Sequence, residues 1–186
     1  MLMGTNREAS LKLLKKHVSK ENLLKHMYAV EAIMKGMAEF LGENHEKWRL
    51  VGLLHDIDFE KCPEPERHCT LAPDLLKEVM DEEMIKTIRT HNFDNLGLKP
   101  ETKMELGLIA ADAISGLVIA AALMMPSKKL ADVKVETISK KFRQKDFARN
   151  CNRDLILYCE QIGIQREKFF EIALKSLQGV SNELGL

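Results

Sequence analysis

The chain has 186 residues, of which 45% are hydrophobic and 30% are charged, as is typical of a folded globular protein. Lysine plus arginine and aspartate plus glutamate both number 28, so the net charge is zero. This balance excludes the broadly basic surface with which proteins bind duplex nucleic acid or anionic membranes. Four cysteines form no CxxC pair and no signal peptide opens the sequence, so we expect reduced thiols and a cytoplasmic location.

The charges are unevenly distributed along the chain. Residues 56–83 hold ten acidic and three basic residues, whereas residues 127–153 hold nine basic and three acidic residues. One interpretation, the usual one for charge runs, is that these are solvent-exposed helix faces that attract each other or a second subunit. The other is that the basic segment receives an anionic ligand. The asymmetry permits a homodimer.

Helical periodicity dominates the chain, and no stretch alternates in the manner of a strand. Ser19 is the predicted N-cap of a long helix that Gly42 ends, and a second helix is predicted from about 44 to 55. Residues 56–68, with two prolines, predict a loop, and short helices are predicted near 71–79 and 82–91. A connection over 92–99 then leads to a long helix at 101–125, with Pro100 suited to its first turn.

Two or three further helices are predicted after Pro126, the last of them near 165–184. The sequence therefore predicts an all-α fold in one domain, residues 1–186. Its core covers about 20–125, and a helical C-terminal extension covers about 127–186. The extension is predicted to pack on the core.

The segment 106–125 is long enough to cross a membrane. It contains Asp112, however, and an aspartate near the centre of a bilayer helix costs about 2.5–3.5 kcal/mol on insertion. We therefore predict that this segment is the buried central helix of a bundle and that the protein does not bind a membrane.

Polar residues interrupt several apolar helix faces. His26, His55, His91 and Asp112 each lie at helical spacing from apolar residues, and Asp56 follows His55 at a predicted helix end. None of the first four has an oppositely charged residue one turn away on its own helix, so each needs a partner elsewhere in the fold. Singly, each would be an ordinary hydrogen-bonded core residue. Together, one divalent cation would satisfy these imidazoles and carboxylates jointly.

The order of His26, then His55 and Asp56, then Asp112 on successive helices resembles the HD-domain superfamily of metal-dependent phosphohydrolases. The stretch GLLHDID resembles the HDIG-type form of its motif, with Asp58 where many members have glycine. The segment LIAADAISGL resembles the one that holds the last aspartate. This resemblance covers about residues 20–120. The whole chain also resembles HDIG-domain proteins of prokaryotes, which implies no particular substrate.

Two further segments resemble members of the superfamily that hold two metal ions. They are RHCTLAPDLLKE, which contains His68, and IRTHN, which contains His91. The loop before His68 is shorter than in dinucleotide-cleaving relatives, so a solvent-facing residue near a helix start is an equal alternative for it. The implied cofactor is one or two divalent transition ions, such as Mn, Fe, Co, Ni or Zn. The implied ligands are His26, His55, Asp56 and Asp112 for the first ion, and His68 and His91 for the second, with Asp56 bridging.

The resemblance implies that a metal-bound hydroxide attacks a phosphoester, of a small molecule or a nucleotide. Asp56 and Asp58 are the implied catalytic residues, and Asp58 would serve as a hydrogen-bond acceptor behind the ligands or as a proton shuttle. Capping of the loop over 56–68 is an equally good account of Asp58. Ser115 would bond a backbone carbonyl rather than metal-bound water. Candidate contacts to substrate phosphate are Lys61, Arg67 and Arg89.

Two other functions remain open. The same pocket would be a metal- or nucleotide-binding sensor if it bound a ligand without turnover. Alternatively, the chain would be a structural, oligomerising helical protein if its buried polar residues only hydrogen-bonded one another.

Overall fold

The computed structural model describes residues 6–186, and within this range the chain forms twelve α-helices and one short 3₁₀ helix, with no strand. The predicted all-α class is confirmed. The helices are α1 (Arg7–His17), α2 (Glu21–Leu41), α3 (His45–Leu54), α4 (Ala72–Leu76), α5 (Glu82–Thr90), α6 (Phe93–Leu96), α7 (Lys103–Leu123), α8 (Val135–Arg143), α9 (Arg153–Ile156), α10 (Tyr158–Gln161), α11 (Arg166–Gly179) and α12 (Ser181–Leu184).

The long helices α2 and α7 form the centre of the fold and pack against each other. Helices α3, α11 and α12 cover α2, and helices α5 and α8 to α11 cover α7. Helix α3 lies unusually close to α2, because a Cβ atom added at Gly52 would lie 2.8 Å from the carbonyl oxygen of Val30. This close approach brings the C-terminal end of α3, and the residues that follow it, against the middle of α2.

Helix α7 has apolar residues on nearly all sides, and other helices surround it. By length and composition alone it would be able to cross a membrane, but 61% of its most apolar window is buried inside the protein. Core helices of soluble proteins show the same pattern. The prediction that this segment is a buried central helix is confirmed.

A buried ion-pair cluster attaches α1 to this core. Glu31 of α2 is 4% exposed, and its carboxylate accepts hydrogen bonds from the guanidinium groups of Arg7 and Arg49. The contacts range from 2.7 to 3.1 Å. A buried carboxylate needs such partners to offset the loss of its hydration.

Three predicted boundaries differ from the structure. The N-cap of α2 is Lys20, because the backbone and hydroxyl of Ser19 bond instead to the carboxylate of Glu60. Helix α7 begins after Thr102, so Pro100 lies before the helix rather than in its first turn. The connection predicted at 92–99 contains the short helix α6.

The C-terminal region is more divided than predicted. After α7 it holds the 3₁₀ helix and five α-helices instead of two or three. The final helix predicted near 165–184 is interrupted at Val180, which separates α11 from α12. Arg153 donates hydrogen bonds to backbone carbonyls in the turn between α8 and α9. These bonds stabilise a loop at this point, so the chain does not continue as a helix.

Candidate metal centre

Six polar side chains from separate parts of the chain meet at one place beside α2 and α7. Two of them lie on partly exposed faces of α2 and α7. The other four lie at or just after the end of α3 or α5, or in the turn before α4. The six residues are His26 (α2), His55 and Asp56 (end of α3), His68 (turn before α4), His91 (end of α5) and Asp112 (α7).

Asp56 occupies the middle of the cluster. Its Oδ1 atom lies 3.1 Å from Nε2 of His68 and 3.4 Å from Nε2 of both His55 and His91. Its Oδ2 atom lies 3.6 Å from Nε2 of His26. One carboxylate thus contacts both ends of the cluster.

The two ends of the cluster contain different residues. At one end, Nε2 of His26 lies 3.1 Å from Asp112 Oδ1 and 3.2 Å from His55 Nε2. At the other end, the Nε2 atoms of His68 and His91 are 3.0 Å apart. The candidate ligand groups His26–His55–Asp112 and His55–Asp56–His91 lie next to each other, and they share His55.

The histidines are oriented by hydrogen bonds from their other ring nitrogen. His55 donates its Nδ1 proton to the carbonyl of Gly52 (2.9 Å), and His91 donates to the carbonyl of Ile88 (2.5 Å). These bonds direct both Nε2 atoms into the cluster and, in the neutral form of each ring, leave Nε2 without a proton. A metal-binding histidine is usually held in this way.

His26 is held by Ser115 of α7. The Ser115 hydroxyl donates to the backbone carbonyl of Asp112 (2.8 Å), as predicted, and its oxygen accepts from Nδ1 of His26 (3.3 Å). Ser115 is fully buried, so this arrangement is fixed by packing.

Asp58 lies behind His68 and not at the open side of the cluster. Its side chain is fully buried, and Oδ1 accepts hydrogen bonds from His68 Nδ1 and from the backbone N–H of Cys69, both at 3.1 Å. Its Oδ2 accepts from the N–H of Leu71 at 3.0 Å. Asp58 therefore caps the turn after the 56–68 loop and also orients His68, which combines two of the expected roles.

The cluster strongly perturbs the protonation of its members. Burial lowers the pKa of His55 to about 4, so this imidazole is neutral at physiological pH. Burial opposes protonation of His68 as well, but the carboxylates of Asp56 and Asp58 outweigh it and raise the pKa of His68 to about 12. Burial also acts against ionisation of Asp56, yet the surrounding histidines hold its pKa well below the usual value. Asp56 is thus a carboxylate.

Within residues 6–186, the cluster is most open to solvent at the end that contains His26 and Asp112. The side chains of His26 and Asp112 are 27% and 39% exposed, whereas that of His55 is fully buried. Two clefts of about 620 and 430 Å³ border His26 on this side. Leu23 and Phe59 form apolar walls of the larger cleft, and Lys20 lies at its rim. A substrate would reach the cluster here.

The three predicted phosphate contacts lie outside the cluster. The Lys61 ammonium lies 2.8 Å from His17 Nδ1, and Arg67 points to Glu64 at the surface. The Nε atom of Arg89 is buried without a hydrogen bond to any part of the chain that the structure describes. None of the three lines the clefts beside His26.

Cys69 and Asn92 contact the end of the cluster that contains His68 and His91, and neither was predicted to lie there. Cys69 is buried, has a left-handed backbone (φ 68°), and places its sulfur 3.8 Å from Nε2 of His91. The amide of Asn92 donates to the carbonyls of Pro65 and His68, which fixes the turn holding His68. In the sequence, each of these two residues directly follows a predicted ligand, and this position was the signal that could have identified them.

The donor set fits a divalent transition ion. Neutral imidazoles and carboxylates are the mixed ligands that such ions take. At bond lengths of about 2.0–2.1 Å, two donors on one tetrahedral ion lie about 3.4 Å apart, and the cluster distances of 3.0 to 3.6 Å span this value. Asp56, with contacts in both halves, has the position that a bridging ligand requires.

Comparison with known proteins agrees with this geometry. The HD domain family matches residues 23–122, more than half of the chain. Ribonuclease Y of Thermotoga petrophila is 31% identical over 147 residues, which cover 75% of this chain and 28% of that protein. Ribonuclease Y of Desulfotalea psychrophila is 32% identical over 142 residues, covering 73% of this chain and 26% of that protein.

A shorter match joins the chain to Ribonuclease Y of Lawsonia intracellularis, with 33% identity over 98 residues, 52% of this chain and 18% of that protein. The chain thus spans less than a third of the length of these relatives. No solved structure matches the chain significantly. The family match covers His26, both residues of the HD pair and Asp112. The chain therefore belongs to the HD domain family, within the superfamily of metal-dependent phosphohydrolases.

Proposed function

We propose that this protein hydrolyses a phosphate ester and uses one or two divalent transition ions for this reaction. The observation that supports the proposal is the convergence of four Nε2 atoms on the carboxylate of Asp56. The ion would supply positive charge at the phosphoryl oxygens and lower the pKa of water. His26, His55, Asp56 and Asp112 would hold a first ion, and His68 and His91 a second.

The chain's own residues would position the substrate and exclude competing water. The phosphate would enter from the cleft beside His26, because His26 and Asp112 are the most exposed members of the cluster within residues 6–186. The apolar walls at Leu23 and Phe59 suit the organic part of an ester rather than inorganic phosphate. At physiological pH, neutral His55 and ionised Asp56 are in the protonation states that bind a cation, whereas an ion at the other end of the cluster would displace the proton that the carboxylates of Asp56 and Asp58 hold on His68.

The relatives add a candidate substrate class. The curated relatives are named Ribonuclease Y, so single-stranded RNA joins small phosphoesters and nucleotides as a candidate substrate. Because the chain matches only part of those proteins, the proposal is the phosphoester chemistry, and all three substrate classes enter its test. The cytoplasm is the proposed location.

The proposal is tested by assaying the purified protein, loaded with Mn, Fe, Co, Ni or Zn, on nucleotides, short RNAs and simple phosphodiesters. Asp56→Ala and His55→Ala should lower the rate at least about a hundredfold, because the charge that the metal provides is worth several kcal/mol. His45→Ala is the matched control, since His45 lies exposed at the start of α3. Ligand binding without turnover in the wild type would favour a sensor, and hydrolysis that survives both variants would refute this site.

A further inference from the structure

The loop between α8 and α9, residues 144–152, is built around a single arginine. The guanidinium group of Arg153 donates to backbone carbonyls of this loop and of the end of α8, including those of Ala148 at 2.7 Å and Cys151 at 2.6 Å. Ala148 adopts a left-handed backbone (φ 44°) that turns the chain around the guanidinium. The full set of acceptors is Lys141, Phe142, Gln144, Phe147, Ala148 and Cys151.

These acceptors are all neutral, so the positive charge of Arg153 is not cancelled by a carboxylate within residues 6–186. The loop adds two exposed cations, Lys145 and Arg149, which line a depression of about 380 Å³ together with Arg153. Neither forms an ion pair with a residue in the same described range. Asp154 is the one acidic residue in the lining. The depression therefore has a net positive charge and suits an anion.

The depression lies next to the metal centre. Its lining includes Cys151, whose sulfur packs so closely on α7 that a Cβ atom at Gly116 would lie 3.0 Å from it. Gly116 follows Asp112 by four residues on the same helix, which places the two on one face about 6 Å apart along the axis. Asp112 is the more exposed of the cluster's two aspartates. Cys151, near the end of the basic loop, thus lies about one turn of α7 from Asp112 at the exposed end of the cluster.

We propose that Lys145 and Arg149 bind a second phosphate group, adjacent to the one that is hydrolysed, and that Arg153, whose N–H groups all bond to backbone carbonyls, contributes its charge alone. The substrate class would be a phosphate ester with more than one phosphate, either a strand of RNA or a nucleoside polyphosphate. This inference rests on the proposed function for the position of the first phosphate. The loop lies outside residues 23–122, so the subsite belongs to the C-terminal extension and not to the matched HD domain.

The subsite also accounts for a part of the basic segment 127–153. Nine basic residues lie between 127 and 153, and the structure places two of them, Lys145 and Arg149, at a depression near the metal centre without ion pairs in the described range. Of the two interpretations of this segment, the geometry supports the one in which it receives an anionic ligand.

The test measures binding and not turnover. Fluorescence anisotropy would follow a short labelled single-stranded RNA, with adenosine triphosphate as competitor, for the wild type and for Lys145→Gln/Arg149→Gln. We expect the double variant to bind at least about tenfold more weakly at low ionic strength, because two charge-assisted contacts are lost. The slope of log affinity against log salt should fall by about 0.7 for RNA, the value for one phosphate contact.

The matched control is Lys99→Gln/Lys175→Gln, which makes the same charge change outside the depression and should alter affinity less than about twofold. The loop variant should retain its metal content and its hydrolysis of bis(p-nitrophenyl) phosphate, which has a single phosphate. Tighter binding of RNA than of the triphosphate would assign the subsite to a strand, and the reverse to a nucleotide.

Three results would overturn the subsite: unchanged affinity in the loop variant, an equal loss in the control, or no binding of either ligand by the wild type. If the wild type binds RNA but hydrolyses no substrate, and the loop variant loses this binding, the proposed function is refuted and the subsite is not. The two proposals can therefore fail separately.

Discussion

Asp58 orients a candidate ligand through a carboxylate–histidine pair. Its two oxygens accept three hydrogen bonds, one from the His68 ring and two from the backbone N–H groups of Cys69 and Leu71. In metal sites such a carboxylate fixes the tautomer of the histidine and makes its other ring nitrogen a stronger metal ligand. The aspartate at this position thus ties the structure of the loop to the second half of the cluster.

Asp58→Asn should weaken metal binding without abolishing it. The amide cannot serve the ring and both backbone N–H groups together, so we expect metal affinity at the second ion to fall by about 10- to 100-fold. Calorimetric titration of the metal-free protein with Zn or Mn would measure this change. Asp74→Asn, at an exposed position on α4, is the control. Equal affinities in all three proteins would show that Asp58 only caps the turn.

The sequence was sufficient to predict which residues meet, but not how they are held. Five of the six cluster residues were found because imidazoles and carboxylates on apolar helix faces need distant partners, and His68 was implied by the family resemblance alone. The hydrogen bonds of Asp58 depend on N–H groups 11 and 13 residues away, whose direction is set by the left-handed backbone at Cys69. No local pattern encodes that conformation in a cysteine, so only the folded chain shows it.

At the scale of elements, the N-terminus of α7 is fixed by a capping box. Thr102 accepts from the N–H of Glu105, and the buried Glu105 carboxylate accepts from the N–H groups of Glu101 and Thr102. Burial opposes ionisation of Glu105, but these bonds and the Lys86 ammonium prevail, so its pKa lies below the ordinary value of 4.5. This cap holds the helix that provides Asp112.

Glu105→Gln should remove a part of the stability that depends on pH. Because the pKa of Glu105 is lower in the folded state, its ionised form stabilises the fold above about pH 4.5, and this contribution is lost as the pH falls through the folded pKa. At pH 7 we expect the variant to be less stable by about 1 kcal/mol. Urea unfolding at pH 7 and at pH 3.5 would show the difference shrinking. A constant difference would exclude ionisation as its cause.

The contact between α2 and α3 depends on the absence of a side chain at position 52. A Cβ atom there would lie 2.8 Å from the Val30 carbonyl and 3.0 Å from the backbone of Glu31, neither of which can move independently of α2. Gly52→Ala should therefore destabilise the fold by about 1–3 kcal/mol, despite the better helix propensity of alanine.

The matched control for this contact is Gly179→Ala in α11, where a Cβ atom would meet nothing within 4 Å. This substitution should be neutral or stabilising by up to about 1 kcal/mol. Thermal unfolding of both variants would measure the contrast. Similar melting temperatures for the two would show that α3 can shift away from α2 at little cost.

The elements themselves were predicted best where periodicity is long and worst where the chain is irregular. The predicted ranges for α2, α3, α5 and α7 agree with the structure to within about two residues at most ends, because their apolar faces repeat over several turns. The loop between α8 and α9 and the short helices after it were not predicted, since Arg153 satisfies loop carbonyls that a helix would otherwise bond internally. One arginine with backbone acceptors leaves no periodic signal.

At the scale of the whole molecule, the cluster joins the parts of the fold. Its residues come from α2, the end of α3, the turn before α4, the end of α5, and α7. An ion bound there would therefore connect elements far apart in sequence. Binding to the folded state alone adds to the free energy of unfolding by mass action, and the unfolded chain has no preformed site.

The whole fold should therefore become more stable when the metal binds. At an ion concentration about a hundred times the dissociation constant, the gain is about 2.7 kcal/mol, which raises the melting temperature by about 5–10 °C for a chain of this length. Calorimetry of the protein with Mn, Zn or Co, and after dialysis against a chelator, would measure it. Asp56→Ala should lose most of the increase, since Asp56 contacts both halves of the cluster. A melting temperature indifferent to both metal and chelator would instead favour a structural helical protein whose buried polar groups only bond one another.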